Sequence, residues 1–461
     1  MNNEITKAST IPILGAVYNC SVMSSGLELL LSCHYRIATR KSSMGFPDTK
    51  LGLMPFSSAT QLLPRIIGVE PSLDMLIQGK MKSADLAMEM GLIDKVIAED
   101  VNYEGFVSAV EEFALSEEVQ STYVTKRSLS NRQAFFVSST QSSSKDYFSK
   151  RLAGSAGDNV STSIIKAVEG ATTLSMSDGL VNEILLSQKL IGSQETKAFQ
   201  YLYFAEKRYK KKHGEIHFND EMKEIGNRMI EACAVECFTM LEEGADIKQI
   251  QKALRDDIGF NKDTMNFWKM FERLDNSLIG NRQERKCLLD QIKWERENKG
   301  VAARNFEEQE IFERALYPIV NVGFKVFEKA VGGASFCSGN ASDSDGDSSD
   351  KTSEVEREES ADGDDEDDKE YDITLTPDEV DLMFVKEYGF PSKLGGPFFW
   401  AEKGKSLQEL LLGIIKYGDV YKDNRRWVPS ELLREVVRSG ASIQEELFFQ
   451  RSKSSAQRSQ Q

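Results

Sequence analysis

The sequence predicts an α/β domain at the N-terminus followed by all-α domains, and three observations predict this order. Residues 11–98 alternate between short apolar strand-like runs and apolar runs with helical spacing. Residues 164–212 and 221–330 carry helical periodicity almost throughout. Between the α/β region and the first helical region serines cluster, as in Ser138–Ser144. Such a composition is typical of a mobile or weakly helical linker. The length of 461 residues allows two to four domains.

Each element of the α/β region rests on a local pattern of apolar residues and terminators. A helix after residue 70 is predicted to end at Gly91, because glycine favours the left-handed turn of a helix C-terminus. The predicted elements, in order, are a strand at Ile11–Tyr18, a buried helix at Gly26–Tyr35, a strand at Arg36–Thr39, a helix at Pro71–Met90 and a strand at Leu92–Ile97.

The helical region contains a weak internal repeat. Ile258-Gly259-Phe260 is echoed by Tyr388-Gly389-Phe390, and an aromatic cluster follows each, at Phe267-Trp268 and Phe398–Trp400. Two related all-helical units would explain this echo.

Local patterns predict three further features of the helical region: a helix cap, two buried cysteines and a frayed tail. Thr376 is predicted to cap a helix with proline at its first position. Cys233 and Cys237, four apart on a helix, are predicted to pack in the core. The polar tail after Ile443 is predicted to fray.

Charge and composition exclude several classes of protein. The net charge of −16 argues against nucleic acid as the main partner. Residues 341–372 hold sixteen acidic and three basic residues, a net of −13, so the rest of the chain sums to only −3. This acidic tract cannot bury a core and is predicted to be disordered. No apolar run is long enough to cross a membrane, and six scattered Cys residues indicate a reducing compartment.

Two carboxylates are the candidate catalytic groups. Glu28 lies just inside an apolar helix that opens at Ser24-Ser25-Gly26, and Asp48 follows the Phe46-Pro47 turn. Two carboxylates that converge on one water molecule are equipped to add or remove that water. Alternatively, Glu28 pairs with Arg36 or Arg40 and Asp48 is a turn residue. Spacing alone favours this alternative.

An ordered series of motifs resembles the second half of the enoyl-CoA hydratase/isomerase (crotonase) family. This resemblance implies a partial crotonase-like α/β spiral, with Glu28 and Asp48 at the two catalytic acid positions and the Ser25 amide in the oxyanion hole. Asp48 is one methylene shorter than the family's glutamate. The matching stretches are Gly26–Leu29, His34–Ala38, Gly45–Asp48, Leu51–Leu53, Thr60–Gly68 and Gly91–Asp94.

The following segments are similar to the multifunctional β-oxidation enzymes, including the bifunctional enzymes of peroxisomes, which fuse that hydratase to a 3-hydroxyacyl-CoA dehydrogenase. Ser193–Lys207 resembles their linker helix, and Ile225–Met229 resembles the start of the first of their two all-α C-terminal domains. The stretches that resemble the second domain are Glu308–Phe327, Tyr388–Pro391 and Gly395–Pro397. By this resemblance Asn227 is a remnant of the dehydrogenase substrate contact. The implied divisions are a partial crotonase domain at 1–118, a Ser-rich linker at 119–163, linker helices at 164–212, dehydrogenase C-terminal domains at 218–300 (degenerate) and 306–440 with an acidic insertion at 333–372, and a tail at 441–461.

Two parts of the family pattern are missing from this sequence. No two of the 32 glycines are spaced as Gly-x-Gly, so we expect no Rossmann domain and no NAD cofactor in this chain. The first half of the crotonase spiral should precede Thr10, and serines stand where the family has glycines, at Ser24-Ser25 and Ser57-Ser58. Loss of one oxyanion donor costs about 10²–10³ in rate.

Two functions therefore remain open. The chain is either a β-oxidation enzyme that retains hydration or isomerisation of an acyl-CoA thioester, or a non-catalytic relic or faulty gene product that binds a partner such as an intact homologue. No metal, nucleic acid or membrane partner is expected. The family implies a peroxisomal location, whereas the sequence ends in Ser459-Gln460-Gln461 rather than an S-K-L signal, so the cytoplasm is the alternative.

Overall fold

A computed structural model of the chain divides into two compact units at Phe204, residues 1–204 and 205–461. The residues that the structure describes are 11–98, 100–126, 132–137, 144–155, 157–260, 290, 292–294, 296–298, 300, 302, 304–332, 375–421 and 425–458. The acidic tract and residues 138–143 of the serine cluster lie outside these ranges.

The N-terminal unit contains two small sheets that the chain builds in parallel passes. The strands are β1 (Leu14–Val17), β2 (Ser21–Met23), β3 (Tyr35–Thr39), β4 (Ser43–Gly45), β5 (Lys82–Ser83) and β6 (Lys95–Ile97). One sheet has the parallel order β1-β3-β6, and the other joins β2 and β4 in parallel with β5 antiparallel at its edge. Each pass, β1–β2 and then β3–β4, adds one strand to both sheets, which is a spiral arrangement.

Helices cover these sheets and supply most of the core. The helices are α1 (Ser25–Leu31), α2 (Ala59–Ile66), α3 (Val69–Gln78), α4 (Ala84–Glu89), α5 (Tyr103–Leu115), α6 (Glu117–Lys126), α7 (Ser144–Gly154), α8 (Asn159–Thr173), α9 (Met176–Ile191) and α10 (Gln194–His213), with a 3₁₀ turn at Pro47–Leu51. Leu27 of α1, Leu62 of α2 and Ile164 of α8 are fully buried in one apolar cluster. This cluster fixes the ends of α1 and α2, where the candidate site lies.

The predicted strands of the α/β region are present, but two predicted helices are corrected. The helix expected at Gly26–Tyr35 ends at Leu31, and Tyr35 already begins β3. The single helix expected at Pro71–Met90 is wrong. Gly79 adopts a left-handed conformation (φ 60°) that ends α3, and Lys82 then pairs with Met44 in the second sheet before α4 starts.

The segment expected to be a mobile or weakly helical linker contains α6, α7 and the start of α8. Phe148 of α7 is 1 % exposed and contacts the Phe136 and Tyr147 rings, with centroids 6.0 and 5.4 Å away. The structure therefore packs this part of the segment into the core of the first unit. The prediction rested on the serine-rich composition and did not weigh the aromatic residues through which the segment packs.

All described elements of the second unit are helical. After α10 they are α11 (Asp220–Glu242), α12 (Ile247–Lys252), a π-helical turn (Ala253–Ile258), α13 (Glu308–Gly332), α14 (Pro377–Glu387), α15 (Pro397–Phe399), a second π-helical turn (Trp400–Lys405), α16 (Leu407–Val420), α17 (Glu431–Ser439) and α18 (Ile443–Arg458), with short 3₁₀ turns at Ser392–Leu394 and Arg425–Trp427. Cys233 and Cys237 are fully buried on α11, as predicted. None of the helices among the described residues is apolar over a length that could span a membrane.

The predicted helix start at Thr376 is confirmed, and the predicted frayed tail is wrong. Pro377 is the first residue of α14, and the Glu379 carboxylate accepts the Thr376 amide at 3.0 Å. The tail forms α18, in which Ile443 is 1 % and Leu447 is 2 % exposed. These two apolar residues are buried, whereas Phe448 and Phe449 on the same helix are exposed.

The internal repeat corresponds to two similar helix ends. Gly259 and Gly389 have φ angles of 92° and 68°, and the following Phe260 and Phe390 donate their amides to carbonyls six residues earlier, at 3.0 and 3.1 Å. The two Phe rings contact each other edge to face, with centroids 5.5 Å apart. The echoed sequence is therefore one helix-terminating motif used twice, while Phe267-Trp268 lies outside the described residues.

An ion cluster with a buried centre joins α11 to α13. The Arg314 guanidinium contacts the Glu236 carboxylate through Nε at 2.7 Å and pairs with Glu243 at 2.7 Å. Arg314 and Glu236 are both 0 % exposed. Removal of either charge would leave the other buried without its main partner.

Candidate active site

Glu28 is held inside the core at the start of α1. The chain enters this helix through Ser24, whose backbone is left-handed (φ 51°, ψ −123°) and whose amide donates to the Gly45 carbonyl at 3.1 Å. Apolar neighbours on the same helix face bury Glu28 to 2 % exposure. A carboxylate that is buried this deeply needs hydrogen-bond donors.

The donors come from the start of α2. Glu28 Oε1 accepts the backbone amides of Ser57 at 2.8 Å and Ala59 at 3.1 Å. The proposed alternative partners lie elsewhere, since Arg36 pairs with Asp94 at 3.4 Å and Arg40 with Asp85 at 3.3 Å. The structure therefore contradicts the ion pair that spacing alone favoured for Glu28. Oε2 of Glu28 accepts no hydrogen bond from the part of the chain that is described.

The 3₁₀ turn Pro47–Leu51 brings Asp48 to the same place. Its Oδ2 accepts the Ser24 hydroxyl at 2.8 Å, so Asp48 is tied to the residue that opens α1. The turn is anchored by the fully buried Phe46 and ends at Gly52, which is left-handed (φ 69°). The sequence prediction that this turn returns Asp48 towards Glu28 agrees with this geometry.

Both carboxyl groups are biased towards their protonated forms. Burial raises the pKa of Glu28, and the negative charge of Asp48 raises it further against the lowering effect of the two amides. Burial also raises the pKa of Asp48, while the Ser24 hydroxyl lowers it. Two neighbouring carboxyls can act as proton donor and proton acceptor when one is protonated and the other is ionised.

The Ser25 amide lies beside this pair, as the first residue of α1. The first amides of a helix have no acceptor within the helix, so this N–H is available to a ligand oxygen. The Ser25 residue is exposed. Asn227 is not part of this arrangement: it lies on α11 in the second unit, where its Oδ1 accepts the Tyr388 hydroxyl at 2.8 Å.

Sequence reasoning missed a third acid, Glu183 of α9. It is 0 % exposed, and its two carboxylate oxygens accept the amides of Ser58 at 2.7 Å and Thr60 at 3.0 Å, with a further hydrogen bond from the Thr60 hydroxyl. Burial raises its pKa to about 7, and the Glu28 charge adds to the rise. The only signal in the sequence was an acid inside an apolar helix, 155 residues from Glu28.

No group of three or more His, Cys, Asp or Glu residues that could hold a metal ion occurs among the described residues.

Comparison with known proteins finds a family model and relatives that match the N-terminal part of the chain. The model of the enoyl-CoA hydratase/isomerase family matches residues 3–149, which include Glu28, Asp48 and Ser25. This match covers the sheets, α1 and α2, but not Glu183.

Two curated relatives have related sequences. The human "Peroxisomal bifunctional enzyme" is 30 % identical over 200 residues, which are 43 % of this chain and 27 % of that protein. The "Fatty acid oxidation complex subunit alpha" of Shewanella baltica (strain OS155) is 31 % identical over 216 residues, 46 % of this chain and 30 % of that protein. The chain thus spans less than a third of the length of these relatives.

Among solved structures, an enoyl-CoA hydratase/isomerase from Pseudoalteromonas atlantica is 20 % identical and aligns with a TM-score of 0.28 over 44 % of this chain and 65 % of its own.

Proposed function

We propose that the N-terminal unit takes part in fatty acid β-oxidation and adds water to an enoyl-CoA thioester, or shifts its double bond. The observation that carries the proposal is the pair Glu28 and Asp48, two neighbouring carboxyls with raised pKa values beside a free helix N-terminus. The match to the enoyl-CoA hydratase/isomerase family and the names of the relatives support the same chemistry.

The two carboxyls divide the work of hydration. The ionised one takes a proton from water while the water oxygen bonds to the β-carbon of the substrate. The protonated one delivers a proton to the α-carbon, so the double bond is consumed and the net charge of the site is the same before and after the reaction. The Ser25 amide donates a hydrogen bond to the thioester oxygen, where negative charge develops. For a double-bond shift the same groups remove a proton from one carbon and return it to another.

This chemistry requires neither a metal nor a nicotinamide cofactor. We also propose a peroxisomal location, because the mammalian relatives are named for that compartment, with the cytoplasm as the alternative.

Substitution of the two carboxyls tests the proposal. Glu28→Gln keeps the shape of the side chain but removes its ability to transfer a proton, so we expect the rate to fall by about 10²–10⁴-fold. Asp48→Glu adds the methylene that the family has and should raise the rate, because a change of reach of about 1 Å can alter rates 10²-fold. The assay follows the loss of the enoyl-thioester chromophore of a trans-2-enoyl-CoA.

Glu104→Gln is the matched control, since Glu104 is an exposed acid on α5 of the same unit. It should leave the rate unchanged. Equal turnover by the wild-type protein and Glu28→Gln would contradict the two-carboxylate mechanism.

A non-catalytic role is the second candidate, and the backbone at Ser24 and Ser58 favours it. Both serines adopt left-handed conformations (φ 51° and 116°) that glycine occupies without strain. Each such residue costs about 1–3 kcal/mol, so serine at these positions makes the turns beside the candidate carboxyls less stable than glycine would. Binding of a saturated acyl-CoA without any turnover of the enoyl-CoA, together with capture of an intact homologue, would support the non-catalytic role.

A further inference from the structure

Two carboxylates bind four consecutive backbone amides at the start of α2. Glu28 accepts the amides of Ser57 and Ala59, and Glu183 accepts those of Ser58 and Thr60. The partners alternate along the chain, so both acids bind backbone amides of the same turn. A displacement of either acid would therefore move the amides that the other one uses.

Glu183 has no access to a substrate. Its side chain is 0 % exposed on α9, and the groups that contact it belong to α2. The Thr60 hydroxyl that it binds also accepts the Gln61 side-chain amide at 3.2 Å, and Gln61 in turn donates to the Ala167 carbonyl of α8 at 3.0 Å. A chain of hydrogen bonds thus connects Glu183 to the rigid helices behind the turn.

The turn that these bonds hold is strained. Ser58, between the two amides of Glu28, has φ 116° and ψ −8°, a conformation that serine rarely adopts. Such a residue persists only where its surroundings over-determine its conformation. Glu183 supplies three of the hydrogen bonds that do so.

We propose that Glu183 is a positioning residue, which fixes the turn at residues 57–60 and thereby orients the Glu28 carboxylate for proton transfer. This inference rests on the proposed function, because it assigns Glu28 a catalytic task. Thr60 acts with Glu183, since its amide and its hydroxyl both bind the same carboxylate oxygen.

Ionisation of Glu183 affects how well it holds the turn. The ionised carboxylate accepts all three hydrogen bonds from Ser58 and Thr60, whereas the protonated group must give up acceptor capacity on one oxygen. The titratable residues of the helices packed nearby are Glu28 on α1, Arg65 on α2, and Lys166 and Glu169 on α8. Of these, Glu28 is the charged group with the largest effect on Glu183, whose pKa is about 7. The rate should therefore rise as the pH increases through about 7.

Three variants test the inference in the full chain. Glu183→Gln replaces one acceptor oxygen by a donor, which opposes the Thr60 amide. Thr60→Val keeps the volume but deletes the hydroxyl, and Thr60→Ser restores that hydroxyl. We expect Glu183→Gln and Thr60→Val to lower kcat by roughly 10- to 100-fold with little change in KM, because an error in orientation costs rate rather than affinity.

The pH profile and the rescue separate positioning from general stability. In Glu183→Gln the inflection near pH 7 should disappear, and Thr60→Ser should recover most of the rate that Thr60→Val loses. Wild-type kcat and an unchanged pH profile in Glu183→Gln would overturn the inference. Equal losses in Thr60→Ser and Thr60→Val would overturn the role of the Thr60 hydroxyl.

A measurement without substrate keeps the inference testable if the chain does not turn over enoyl-CoA. Amide hydrogen exchange, resolved to single residues by mass spectrometry, reports directly on the Ser57 and Ala59 amides that hold Glu28. These should exchange faster in Glu183→Gln than in the wild-type protein, while amides of α5 stay unchanged. Faster exchange without any wild-type turnover would refute the proposed function but retain the coupling of the two acids. Unchanged exchange would refute the coupling itself.

Discussion

Replacement of Ser58 by glycine should stabilise the N-terminal unit. Ser58 lies at φ 116° and ψ −8°, and a non-glycine residue in such a conformation costs about 1–3 kcal/mol. Its hydroxyl oxygen is buried and finds no hydrogen-bond partner among the described residues, a loss of about 1–3 kcal/mol for a neutral group. Glycine removes both costs and keeps the amide that Glu183 binds.

The opposing effect is smaller. Glycine gives the unfolded chain more freedom, which costs about 0.5–1 kcal/mol. The net gain in the free energy of unfolding should therefore be at least about 1 kcal/mol. Ser57→Gly is the matched control: Ser57 precedes it in the same turn but is not among the residues with positive φ, so this variant should lose about 0.5–1 kcal/mol.

The assay must report on the first unit of the intact chain. All four Trp residues lie between residues 268 and 427, so tryptophan fluorescence reports on the second unit. Native-state hydrogen exchange of peptides from residues 11–98 measures the unfolding free energy of the first unit directly. If Ser58→Gly destabilises these peptides as much as Ser57→Gly does, the strain at Ser58 is not real and the reasoning about the turn fails.

Two further predictions concern buried charges. Arg314→Ala should lower the unfolding free energy of the second unit by about 3–5 kcal/mol, because it removes the nearest cation from the buried Glu236 and leaves Arg426 farther away, at 3.6 Å. Arg304→Ala, which removes a half-exposed pair with Glu310, should cost less than about 1 kcal/mol, with tryptophan fluorescence in urea as the measure for both. The raised pKa of Glu183 stabilises the fold below pH 4.5, and that contribution should disappear as the pH rises through about 7, a loss on the order of 3 kcal/mol. Hydrogen exchange of the first unit at several pH values should show this decline, and Glu183→Gln should flatten it.

Short-range patterns predicted the local structure well wherever neighbours in the sequence decide it. The strand predicted at Arg36–Thr39 is one residue shorter than the observed Tyr35–Thr39, and the cap at Thr376 depends on one hydrogen bond within four residues. Errors arose where a distant contact overrode the local pattern. The predicted helix at Pro71–Met90 ends at Gly79, and the chain after it forms a strand in which Lys82 pairs with Met44 of β4. The polar tail forms a helix because Ile443 and Leu447 are buried in the core of the second unit.

The sequence by itself pointed to Glu28 and Asp48 as candidates, although spacing alone favoured ordinary structural roles for them, and it gave no reason to add Glu183. Glu28 follows a small-residue helix start and Asp48 follows a Phe-Pro turn, and both features are legible within a few residues. Only the tertiary structure decided what holds Glu28. Its donors at Ser57 and Ala59 lie about 30 residues away along the chain. Glu183, which accepts the amides of Ser58 and Thr60, lies 125 residues beyond Ser58. Hydrogen bonds across such distances leave no periodic trace in a sequence, because they depend on how helices pack rather than on the spacing of residues along the chain.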